Sequence, residues 1–211
     1  IVNSVAFDNT KGLLESSKEI GINAKSLVNS EGSILSNEKI GISGDLYNSG
    51  GTISSDKIEI NGNLNSNSSG IIQGISGLKI NGKNIDNTAG TLESGSVIDI
   101  KSLNVENQNG KITGFDRVSI DGKINNTQGE IISSGSDVIL NSENVQNVRG
   151  LIKGYTKAEL NVGSILNKEG KVLSTGVVEV NTPNEYVYEG LIEGDILTAI
   201  NADKITVNEA I

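Results

Sequence analysis

The chain has 211 residues, with 17 Lys and Arg against 26 Asp and Glu for a net charge of −9, and it contains no Cys, His, Trp or Met. Those absences exclude disulfide frameworks, thiol nucleophiles and Cys- or His-based metal sites, and they weigh against an enzyme that needs a general base near neutral pH. An acidic chain without a basic stripe is a poor partner for a phosphate backbone, so no nucleic acid is expected, and no apolar run approaches the roughly 18 residues of a membrane span.

Taken in chain order, the first predicted unit is a turn from Asn9 to Gly12, then a short strand turning Leu14 inward, a second turning Ile20 and Ile22 inward, and a third closing on Leu27. The next turn, Asn29 to Gly32, opens the same sequence of events: Ile34, then Ile40 and Ile42, then Leu46. It recurs from Asn48 and Gly51, Asn67 and Gly70, Asn87 and Gly90, Asn107 and Gly110, Asn126 and Gly129, Asn147 and Gly150, and Asn167 and Gly170, always 19 to 21 residues apart. A tenth copy keeps Gly190 but has Val187 in place of the asparagine. Nine strict copies establish internal repetition as the organising feature.

Between turns the aliphatics alternate, as in Leu78/Ile80, Ile98/Ile100 and Val118/Ile120, which is the period of a strand with one buried face. No segment carries the i, i+3, i+4 stripe of an amphipathic helix. Four inward aliphatics at about 2 kcal/mol each cannot offset an ordering cost of about 1.5 kcal/mol per residue over a whole repeat, so one repeat cannot fold alone. If each winds once around an axis, strands pair in parallel with their equivalents above and below, and the aliphatics form columns in a shared interior. The predicted fold is all-β, a parallel β-helix of about ten coils with three short strands per coil. Right-handed winding is expected from the handedness of parallel crossovers.

Within this coil the glycine of Asn-x-x-Gly is expected to take a positive φ at a sharp corner. The asparagines fall in register along the axis. Either each carboxamide donates to the next, or the side chains are solvated and only the turn preference matters. A second rhythm alternates Ser and Gly four residues after each turn glycine (Ser55, Gly74, Ser94, Gly114, Ser133, Gly154), and the glycine coils place Ile75, Phe115 and Tyr155 next. These side chains either cover one corner or form a binding strip.

The pattern is regular over residues 1–180 and irregular over 181–211, where Pro183 removes a donor, Tyr186 and Tyr188 fall together, and the apolar residues after Gly194 leave the earlier register. An irregular coil of the same solenoid is expected there. The chain shows no signal peptide and starts at Ile1 in mid-pattern, which suggests a monomeric fragment.

The units Asn-x-x-Gly-x-Ile-x-Ser, Ile-x-Ile and Leu-x-Asn, over about residues 5 to 180, resemble the repeats of filamentous haemagglutinins and of the stalks of contact-dependent growth-inhibition toxins. The resemblance implies a right-handed β-helical shaft, two-partner secretion through an outer-membrane transporter of a Gram-negative bacterium, and display at the cell surface. It also implies a host or neighbouring-cell receptor for the whole exoprotein. The amino-terminal secretion domain of that family, with its Asn-Pro-Asn motifs, has no counterpart among these residues, so transporter recognition is not expected here.

The expected function is a non-catalytic structural shaft with no cofactor, presenting a binding or toxin module. One alternative is a lateral face that binds ligand directly. The other is a polysaccharide-cleaving β-helix enzyme, which needs two or three converging carboxylates. Glu159 and Glu179 are expected to stack and Asp116 and Asp121 to share a coil, without a third partner.

Overall fold

A computed structural model describes residues 1–207, and these wind into a β-solenoid of about ten coils with no helix among the described residues. A representative coil contains the strands Thr91–Ser94 and Val97–Glu106 before its turn at Asn107. Every strand pairing is parallel and connects equivalent positions one repeat apart: Ile98 lies between Leu78 and Val118, and Ile100 between Ile80 and Ile120. The repeat length sets this register, because a slip of one residue would turn the whole aliphatic set outward.

The interior is a set of continuous columns. Ile34, Ile53, Ile72, Leu92, Ile112 and Ile131 from the first strand are fully buried, as are Ile60, Ile80, Ile100 and Ile120 from the second. β-branched side chains fit such a stack because they pack well on a pleated surface.

The three strand segments of a coil are not always separate. Ile20–Val28, Lys39–Tyr47, Val97–Glu106 and Arg117–Asn125 each run through the second corner, with register shifts at Asn23/Ser26 and Lys101/Asn104. Thr52–Asn61 and Ile71–Asn81 run through the first corner. A corner made by a bulge keeps its strand assignment while bending the chain.

The turns differ from the sequence expectation in one respect. Positive φ falls on the residue before the repeat glycine: Lys11, Glu31, Ser69, Ala89, Asn109, Gln128, Arg149 and Glu169 lie at 54° to 56°, and Gly50 at 63°. Gly32, Gly51, Gly70, Gly90, Gly110, Gly129, Gly150 and Gly170 do not adopt positive φ, and of the repeat glycines only Gly190 does. Their role is spatial. A Cβ at Gly110 would sit 2.2 Å from the carbonyl oxygen of Asn87 and 2.6 Å from Oδ1 of Asn107, and Gly51, Gly70, Gly90 and Gly129 meet the same obstruction. The turn is closed by a bond from the glycine N–H to the asparagine carbonyl, 3.1 Å for Gly110 and Asn107.

Beyond Asn181 the backbone keeps its register while the side chains change. Leu197–Asn201 pairs with Val177–Asn181, which puts Thr198 beside the inward Val178 and leaves Leu197 outside. Glu185–Tyr188 and Lys204–Val207 form a separate parallel pair, and Tyr186 is buried to 1% exposure with its hydroxyl lacking a hydrogen-bond partner. The irregular stretch expected over 181–211 is described only as far as residue 207; residues 208–211 lie outside the described residues.

Candidate functional site

The most distinctive chemistry of the rod is the column of turn asparagines. Asn29, Asn48, Asn67, Asn87, Asn107, Asn126 and Asn147 have no exposed surface and Asn167 has 1%. The Nδ2 of each donates to Oδ1 of the next: Asn29 to Asn48 at 2.8 Å, Asn48 to Asn67 at 2.8 Å, Asn67 to Asn87 at 2.8 Å, Asn87 to Asn107 at 2.7 Å and Asn107 to Asn126 at 2.7 Å. The series continues from Asn126 to Asn147 at 2.8 Å and from Asn147 to Asn167 at 2.7 Å, and Asn9 feeds it at 2.7 Å. The second hydrogen of each Nδ2 is shared between the glycine carbonyl of its own turn and a carbonyl one coil further on, as in Asn87 to Gly90 at 3.2 Å and to Lys111 at 3.0 Å. Both donors and the acceptor are therefore occupied, which burial requires of a carboxamide.

The column has one direction, and it ends chemically. At Val187 there is no carboxamide to accept the next ladder bond, and Asn167 retains the cross-coil carbonyl bond that the other rungs also make, to Leu191 at 3.2 Å as Asn147 makes to Lys171 at 3.2 Å.

A second asparagine ladder, on the outside, was not apparent from the repeat motif. Asn81 donates to Asn61 at 3.0 Å, Asn161 to Asn141 at 3.0 Å, Asn181 to Asn161 at 2.9 Å and Asn201 to Asn181 at 2.7 Å, while Asn141 donates to Asp121 at 2.7 Å. Its donors point toward the amino-terminal coils, opposite to the buried ladder. The signal was present as Asn directly after the second aliphatic of most pairs, as in "IEIN", "LKIN" and "AELN", with Ser43, Lys101 and Asp121 in its place elsewhere.

The four carboxylates singled out for the enzyme alternative fall in separate places, Glu159 and Glu179 on a shared lysine and Asp116 and Asp121 each on a neutral side chain. Lys157 lies between Glu159 and Glu179, at 2.7 Å and 2.8 Å, and both carboxyls are held below their ordinary range chiefly by its hydrogen bonds. Donating hydrogen bonds to the same two carboxylates raises the pKa of the Lys157 ammonium. Asp116 accepts from the Ser96 hydroxyl at 2.7 Å, and Asp121 belongs to the outer ladder at the far corner of its coil. A general acid with a raised pKa is the property a glycosidase requires, and these glutamates are shifted the other way. No cluster of three or more potential metal ligands occurs among the described residues.

Other surface charges pair one coil apart: Lys18 with Glu38 at 2.7 Å, Lys39 with Glu59 at 3.1 Å, Lys79 with Glu59 at 3.9 Å and Arg149 with Glu169 at 2.8 Å. Exposed pairs of this kind contribute about 0–1 kcal/mol each. Their regularity says more about register than about recognition. Ile132, Ile139 and Leu173, on the outward side of the strands, are half-buried rather than open.

A family model described as haemagglutinin repeat matches the chain three times, over residues 2–56, 42–122 and 112–208. No curated protein and no solved structure matches it. No described helix is long and apolar enough to cross a membrane.

Proposed function

The chain belongs to the haemagglutinin-repeat family, and on that premise we propose that it is a non-catalytic shaft segment of a large bacterial surface adhesin or toxin-delivery filament. The observation that carries this reading is the parallel pairing of equivalent residues from Val2 to Asn201, with an aliphatic column inside it and an asparagine column beside that from Asn9 to Asn167. Such a stack converts sequence length into reach. At about 4.8 Å per coil, ten coils span about 45–50 Å.

In this reading the parent protein leaves a Gram-negative cell through a dedicated outer-membrane transporter, and a module elsewhere in that protein meets a receptor on a host or neighbouring cell. The buried ladder serves rigidity, because a stack whose polar groups are all paired has one register.

The test is a pull-down from host-cell membranes together with a reducing-sugar assay on a glycan panel, both using the purified chain. A shaft returns neither a saturable ligand nor sugar release. A saturable ligand would replace the passive role with lateral adhesion, and sugar release would replace it with catalysis.

A further inference from the structure

One line along the rod is neither core nor solvated polar surface. At the corner between the first and second strands, Ile75, Phe115 and Tyr155 are 66%, 56% and 52% exposed, and they recur every second coil. The coils between them place Gly95, Gly135 and Thr175 at the same corner. The alternation is built into the backbone. Where the large residue occurs it follows Gly74, Gly114 or Gly154, and a Cβ at Gly154 would lie 1.8 Å from the carbonyl oxygen of Lys157.

We propose that this corner is a self-pairing surface, and that two copies of the chain associate side by side and antiparallel through it. The first argument is spacing. Protrusions two coils apart repeat at about 9.6 Å, whereas a β-strand presents one face every 6.8 Å or so and a helical turn advances about 5.4 Å. A second copy of this chain stays in phase along the entire line.

The second argument is that the line is complementary to its own reverse. With a two-fold axis between the coils of Phe115 and Gly135, Tyr155 faces the second copy's Gly95 and Ile75 faces the second copy's Thr175. Phe115 lies over its own Gly135, since a Cβ there would be 3.0 Å from its Cε1. The ring therefore sits at the level of the axis, where it meets the same ring of the second copy in an offset stack.

The third argument is charge. An antiparallel pair about such an axis sets each column of one rod against the same column of the other with its order reversed. Lys153, on one flank, then faces the second copy's Glu93. Arg117, on the other flank, faces the second copy's Asp137.

Three half-exposed side chains per copy fall short of the roughly 800 Å² per partner of a stable interface. Pairing is therefore weak at this length, and the chain is a monomer when dilute.

Sedimentation equilibrium from micromolar to millimolar chain tests the proposal. The weight-average mass is expected to rise above the 22.1 kDa of one chain toward twice that value. Phe115→Ser, at a side chain 56% exposed, is expected to weaken pairing at least tenfold or so, because each substitution enters a symmetric pair twice. Lys153→Glu is expected to weaken it and the double variant Lys153→Glu/Glu93→Lys to restore it. A mass that stays at one chain throughout, pairing that survives Phe115→Ser, or a charge swap that fails to rescue would each overturn it. A monomer that instead bound a polyproline peptide, whose turn advances about 9.3 Å, would reassign the strip to an extended ligand.

Discussion

The side-chain N–H of Asn87 donates to Oδ1 of Asn107 at 2.7 Å, with both residues fully buried. Asn107 in turn donates to Asn126 at 2.7 Å. Truncation of Asn107 to Ala therefore strands two groups at once, an N–H of Asn87 and the Oδ1 of Asn126. An unpaired buried polar group costs about 1–3 kcal/mol, so the expected loss is about 2–6 kcal/mol, read by urea or thermal unfolding. A loss under about 0.5 kcal/mol would mean that water replaces the ladder without penalty.

Two neighbouring residues of one turn are expected to respond to substitution with opposite signs. Ala89 holds a φ of 54°, a left-handed conformation that costs an alanine roughly 1–2 kcal/mol and a glycine almost nothing. Ala89→Gly is expected to be neutral or stabilising by up to about 1 kcal/mol, once the greater freedom of an unfolded glycine is subtracted. At Gly90 a Cβ would lie 2.2 Å from the carbonyl oxygen of Asn67 and 2.7 Å from Oδ1 of Asn87. Gly90→Ala must push the ladder apart and is expected to cost about 2 kcal/mol or more. Equal and small effects of the two changes on melting temperature would remove the spatial account of the repeat glycine.

That pair also shows which parts of the molecule were legible in the sequence. Alternating Ile98 and Ile100 specify a strand with one inward face, and a fixed repeat specifies which neighbour each meets, so the fold follows from periodicity alone. The glycine was recognisable as essential, but composition cannot separate a backbone that needs positive φ from a Cβ that has no room. That distinction depends on the preceding coil's carbonyl, which is far away in sequence. The outer ladder of Asn61, Asn81, Asn161 and Asn181 was masked by the stronger Asn-x-x-Gly signal. Tyr186 was visible as an irregularity, but its turn inward is a tertiary outcome of the separate pairing of Glu185–Tyr188 with Lys204–Val207.

Substitution in the aliphatic columns is expected to spread beyond one coil. Ile100 is fully buried between Ile80 and Ile120. Ile100→Asp places an unpaired charge where no partner exists, a cost of several kcal/mol, and stacked coils depend on their neighbours for closure. Hydrogen exchange is expected to accelerate in the coils on both sides. Unchanged melting of this variant would contradict the inward column.

Tyr186 offers the opposite sign. Its ring is buried and packed edge-on against Tyr188 at 6.2 Å, but its hydroxyl has no partner. Removing an unsatisfied buried hydroxyl while keeping the ring is expected to stabilise, so Tyr186→Phe should raise the melting temperature, by about 1 kcal/mol in free energy. Burial also pushes the phenol above its ordinary pKa of 10.0. A group whose folded pKa is raised leaves stability intact below the unfolded value and removes it as pH climbs above. Alkaline unfolding of the wild type should therefore begin above about pH 10 and be milder in Tyr186→Phe. Identical alkaline profiles would show that the ring is not buried in solution.

The acid side has a separate cause and the reverse sign. Glu59, Glu159 and Glu179 are held below their ordinary value of 4.5, first by hydrogen bonds from Lys39 or Lys157 and then by Asn61, Asn161 and Asn181 of the outer ladder. Depressed carboxyls contribute stability that is present above the unfolded pKa and is lost as pH falls through the lower folded value. Because the chain has no histidine and no cysteine, no side chain of ordinary pKa titrates between about pH 5 and pH 9. The expected profile is a plateau of melting temperature across that range with a decline below about pH 4.5, and Lys157→Met should make the decline shallower by removing the partner that depresses Glu159 and Glu179. A step near pH 6.5 or an unaltered acid limb in Lys157→Met would each contradict the pairing seen along this face.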